Sequence, residues 1–179
     1  MKTSTARILP LSLALSLAIP LSSSAQETPI GATATAPVTV EVADFNGMQE
    51  VKRLHGKQRS DTESQIQSLA KWLGKRAQSR VPDGQTLAIT LNDVDLAGDY
   101  EPSAGIDMQY VRVVRDMYPP RITLSWQVND TSGKTVDQGQ AQLTDPSFLH
   151  ASTPVDSHGL GHEKRLLKDW LRKQFPKQG

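Results

Sequence analysis

Four acids fall within nine residues: Asp93, Asp95, Asp99 and Glu101. Their D-x-D-x3-D-x-E spacing imitates the start of a calcium loop, with acids at positions 1, 3, 7 and 9 and Gly98 at position 6. The imitation then fails. Position 5 is Ala97, and position 12, where a bidentate Glu belongs, is Ala104. The acids can be satisfied another way. No base lies between Arg80 and Arg112, and Arg112, Arg115 and Arg121 then follow in quick succession. Ion pairs with those arginines relieve the self-repulsion of the acids. Asp93, Asp95, Asp99, Glu101, Arg112, Arg115 and Arg121 are therefore the candidate ligand-binding set. The expected bulk of their contacts is structural, and a weak divalent-cation site is the competing reading.

Other constellations are thinner. His158 and His162, with Glu163 beside the second, have the i, i+4 spacing of a zinc pair on a helix. Gly159 and Gly161 lie between them and work against a helix there, and no third ligand is evident, so His162 reads as a surface residue. Ser152 and Ser157 sit near histidines without a G-x-S-x-G elbow. Gly159-Leu160-Gly161 does not follow an expected strand and so makes no phosphate loop. Lys71, Lys75 and Arg76 beside Trp72 read as a solvated helix face rather than a polyanion site. No catalytic residue, metal or cofactor is assigned.

The elements that position these residues follow from hydrophobic periodicity. Val38, Val40 and Val42 alternate, as do Leu87, Ile89 and Leu91, and Ile122, Leu124, Trp126 and Val128, giving three half-buried strands. The second is expected to run out at Asn92 into the acidic segment. Thr135 to Leu143 returns from an Asn129–Lys134 turn, which carries Asp130, Ser132 and Gly133, as a hairpin partner, with Gly139 a candidate bulge. Ser60 and Glu63 form a capping-box pattern ahead of the stripe Ile66, Leu69, Ala70, Leu73 and Ala77. A last helix from His162 to Phe175 buries Leu166, Leu167, Trp170 and Leu171. Asn46–Arg59 and Asp145–Gly161 read as loops. Tyr110–Met117 is ambiguous between helix and strand, and its β-branched valines favour strand. The expected fold is α+β: a mixed or mostly antiparallel sheet of four to five strands with two helices on one face.

The chain has 179 residues. Met1–Ala25 reads as an export signal: Lys2 and Arg7, an apolar run from Ile8 to Leu21, then Ser23 and Ala25 at a cleavage site. That run has 14 residues and a spanning helix needs about 20, so cleavage before Gln26 is favoured over an anchor. Residues 26–37 read as a flexible lead and 38–176 as one domain, large enough to bury roughly 70% of its unfolded surface without staples. There is no cysteine, which excludes disulfides, thiolate metal sites, a thiol nucleophile and a lipidated cysteine. The full chain carries 20 bases and 19 acids; cleavage removes two bases and no acid, leaving net −1, which does not suit a general nucleic-acid binder.

Three stretches are distinctive in this order: Leu91–Pro102, Arg112–Ile122 (RVVRDMYPPRI) and Glu163–Phe175 (EKRLLKDWLRKQF). Together they resemble DUF3016, an uncharacterised family of small exported proteobacterial proteins. The resemblance spans about Val38 to Phe175 and implies a periplasmic or secreted location. It carries over no activity, ligand or catalytic residue. The resulting expectation is a non-catalytic binding or accessory module of the cell envelope, partnered with an envelope protein or component. The alternative is a small exported hydrolase or divalent-metal-dependent enzyme built on Asp93–Glu101.

Overall fold

Alternation builds the sheet. The computed structural model describes residues 37–101, 108–151 and 159–177, all within one unit, Ala34–Gly179. Strands β1 (Val38–Val42), β2 (Thr86–Asp95), β5 (Arg121–Asn129) and β6 (Thr135–Thr144) form a four-stranded sheet in the order β1-β2-β5-β6. β1 runs parallel to β2 and the other pairings are antiparallel, so the sheet is mixed. β3 (Asp99–Tyr100) and β4 (Arg112–Val113) form a separate two-stranded ribbon. Helices α1 (Gly56–Ala77) and α2 (Gly161–Gln174) pack on one face of the sheet. There Ile66, Leu69 and Leu73 of α1 and Leu167 and Leu171 of α2 meet Leu87, Ile89, Leu91, Ile122 and Leu124. Each such side chain, fully buried, contributes roughly 1.5–3 kcal/mol of transfer free energy. The α+β expectation holds.

Several boundaries differ from expectation for local reasons. α1 begins at Gly56, with His55 at its N-cap, so Ser60 lies inside the helix and makes no cap. The extra turn is laced by i, i+4 pairs, Lys57–Asp61 at 2.8 Å and Arg59–Glu63 at 2.7 Å, and the second of these occupies the Glu63 carboxylate. β2 does not stop at Asn92. A bulge between Leu91 and Asp93 absorbs Asn92, and the strand continues with Val94 back in the core. Asp93 and Asp95 therefore lie on a strand. Tyr110–Met117 is mostly turns around the two residues of β4.

Gly139 marks no bulge; the β5–β6 register shifts at Val128/Asn129 instead. Gly139 makes room. A Cβ there would stand 2.5 Å from Cζ2 of Trp126, whose ring meets Trp170 and Phe175. Within Asp145–Gly161, Phe148–His150 forms a 3-10 turn that buries Phe148 completely. His162 packs edge-on against Phe148 at 4.8 Å, so it is half-buried and not a plain surface residue. Lys71, Lys75 and Arg76 are exposed opposite the apolar stripe, and Trp72 packs against the core. Residues 1–36, read above as signal and lead, and Ala104, Ser152, Ser157 and His158 lie outside the described residues.

Candidate functional site

β2 delivers the acidic segment into a tight turn, Leu96-Ala97-Gly98, before β3. Two carboxylates, each only 1% exposed, hold that turn. Glu50 Oε2 accepts the Leu96 N–H at 2.8 Å, and Glu163 Oε1 accepts the Ala97 N–H at 2.7 Å. Arg112, from β4, closes the arrangement. Its guanidinium pairs with Glu50, donates to the Gly98 carbonyl at 2.9 Å and to Thr62 Oγ1 at 3.1 Å, and lies over the Tyr100 ring. Gly98 has φ +87°, and a Cβ there would sit 2.7 Å from the Val113 carbonyl oxygen, so only glycine lets the ribbon close on the turn. Burial pushes the Glu50 carboxyl above its usual range, and Arg112 pulls against that rise. Glu163 also stands in the first turn of α2, where the helix dipole favours an anion.

The four acids on the segment are held separately. Asp93 Oδ1 accepts the Gln49 N–H at 2.9 Å. Asp95 stands 3.8 Å from Arg121, and Asp99 3.9 Å from Arg53. Glu101 pairs with Arg115 at 2.8 Å. Arg115 and Arg121 thus meet the segment's side chains as expected. Arg112 does not: it serves Glu50 and the turn's backbone. Asp95, Asp99, Arg53, Arg121 and Tyr118 line a cavity of about 160 Å³. Burial raises the Asp95 carboxyl, against the pull of Arg121 and Arg53. Among the described residues no three His, Cys, Asp or Glu side chains are grouped so as to hold a metal ion.

Sequence reasoning missed Glu50, Thr62 and Arg53, and it met Glu163 only as the neighbour of His162, not as a support of this turn. Two of them left a signal. Thr62 precedes Ile66 by four residues and Glu163 precedes Leu167 by four, so each polar side chain sits on its helix's apolar stripe. Glu50 and Arg53 follow no periodic pattern.

A second feature adjoins this anchor. Among the described residues seven large apolar side chains are exposed, and five of them, Met108, Tyr110, Val111, Val114 and Met117, fall within ten residues around β4. Exposed apolar side chains gathered into one short segment are what an interaction surface is built from, whereas single ones scattered over a surface are ordinary.

No curated protein matches this sequence. A solved PelC dodecamer from Paraburkholderia phytofirmans aligns at 12% identity over 74% of this chain and 86% of that one, with a TM-score of 0.24, too slight a likeness to carry any argument. The family model described as "Protein of unknown function (DUF3016)" matches residues 36–173, so the chain belongs to that family.

Proposed function

We propose that the protein is an exported periplasmic module that binds an envelope protein without catalysis. The apolar patch Met108–Met117 carries this reading. It is tied to the domain through Arg112, which contacts Glu50, Thr62 and Gly98. The clamp residues serve the backbone and one another, which suits a mount for the patch. The N-terminal signal reading supports export.

The test has two parts. Intact mass of protein recovered from the cell envelope should correspond to a start at Gln26; retention of residues 1–25 would mean a membrane anchor in place of a released module, and a cytoplasmic location overturns the export reading. Crosslinking in envelope extract should capture a defined protein with the wild type and lose it with Val111→Asp/Val114→Asp, whose exposed sites leave the fold intact by circular dichroism. An unchanged crosslinking pattern removes the patch from the interaction.

The second reading, an exported hydrolase or divalent-metal-dependent enzyme, draws on one observation: Asp95, Asp99, Arg53 and Arg121 share a cavity. An ion that binds only the folded state raises the melting temperature with its concentration. Melts in calcium, magnesium or manganese against chelator decide it. A rise abolished by Asp95→Asn supports the metal reading, and superimposable melts dismiss a divalent ion from this cavity.

A further inference from the structure

The sheet ends on β6, and no described strand pairs with its outer edge. At about 3.3 Å per residue its ten residues span about 33 Å. Such an edge invites another strand, and proteins usually blunt it with Lys, Pro, shortness, bulges or charge. The other edge, β1, is guarded: it has five residues and carries Glu41. β6 contains no Lys, Arg or Pro, and its one register shift lies at its first residues. Its sole ionisable side chain, Asp137, sits beside the indole N–H of Trp126, 3.3 Å away.

We propose that β6 pairs antiparallel with β6 of a second copy, joining two sheets into one of eight strands. The pattern of side chains is self-complementary about Gln140. A two-fold axis there sets Gln138 opposite Gln142 and Gln140 opposite its copy, so amides that each donate and accept meet one another. On the core side Gly139 meets Ala141, both small. Asp137 meets Leu143, leaving the two Asp137 carboxylates about 20 Å apart, beyond a Debye length of about 8 Å. No like charges face each other. A foreign strand could use the same backbone groups, but it would need this neutral, small-and-amide pattern by coincidence, whereas a second copy has it by identity. A single strand edge is a small interface, so association depends on concentration.

The experiment is sedimentation velocity on the full chain across a concentration series, with variants at exposed Gln140. The wild type passes from monomer to dimer as concentration rises. Gln140→Lys and Gln140→Glu each put like charges on the axis and stay monomeric, and mixing the two restores the dimer. Gln140→Cys, in a chain with no other cysteine, forms a disulfide-linked dimer under added oxidant, and Ala88→Cys, exposed on the same sheet face, does not. A wild type that stays monomeric throughout, a Gln140→Lys protein that still dimerises, or crosslinking through Ala88 alone overturns the pairing.

Discussion

Arg112 and Glu50 stand or fall together. Arg112 is 13% exposed and Glu50 1%, so removing either leaves the other a desolvated charge. Arg112→Ala should cost about 3–5 kcal/mol, the usual consequence of breaking a buried pair from one side. Arg112→Lys should recover only part of this, because one ammonium cannot reach Glu50, Gly98 and Thr62 in the fork geometry of a guanidinium. Denaturant midpoints at constant slope measure both. Asp95→Asn and Asp99→Asn should cost about 0–1 kcal/mol, since their arginine partners are mostly exposed; a larger loss would show that one of these carboxylates is structural. His162 gives a pH signature. Burial against Phe148, and secondarily the nearby Arg165, lowers its pKa below the ordinary 6.5, with Asp145 opposing. A depressed histidine means that the unfolded chain binds the proton first. Its contribution is therefore fully present above 6.5 and is lost as pH falls from there through the folded value. His162→Gln should lose less stability than the wild type between about pH 8 and about pH 5. Equal losses would place the titration elsewhere. The site was half legible in the sequence because charge sums along the chain find acids and arginines near one another, as with Glu101 and Arg115. They cannot find Glu50, whose partners lie 46 and 62 residues away and meet it only once the ribbon folds back.

Strands announce themselves by alternation, and the exceptions here occur where alternation is broken on purpose. Leu87, Ile89 and Leu91 are plain in the sequence. A bulge then shifts the phase by one, so Val94 is buried while Asp93 and Asp95 sit on the opposite side. A reader who carries the period through Asn92 loses the strand and places the acids in a loop. β6 is the opposite case: its glycine reads as an irregularity in a regular strand, and its cause lies across the sheet. Trp126, paired with Gly139 on β5, lays its ring over that position. Gly139→Ala keeps the strand conformation accessible and places a methyl group 2.5 Å from the ring, so Trp126 must move. The expected cost is about 1–3 kcal/mol, as for other overpacked core sites. A shifted tryptophan emission in the native state should accompany it. Loss of stability with unchanged emission would place the strain in the backbone instead.

At the scale of the molecule, both helical stripes and one face of the sheet form a single core, so damage at one end should be felt throughout. Trp170 tests this. It lies on α2, 7% exposed, with Leu167 and Leu171 on the same stripe. Its ring meets Trp126 of β5 at 5.7 Å and Phe175, just past α2, at 5.8 Å. Arg80, beyond the end of α1, donates to the Phe175 carbonyl at 2.7 Å and ties the two helix ends together at the same place. The aromatic group therefore joins α2, the sheet and the end of α1. Large aromatic-to-Ala changes in cores cost about 3–5 kcal/mol, and Trp170→Ala should fall in that range. Because the core is continuous, the loss should appear as one transition, with tryptophan emission and far-ultraviolet circular dichroism coinciding in both wild type and variant. If emission changed well before the helical signal, α2 would be unfolding from the sheet on its own. If the midpoint and slope were both unchanged, the buried face of α2 would contribute nothing to the fold, contrary to its packing.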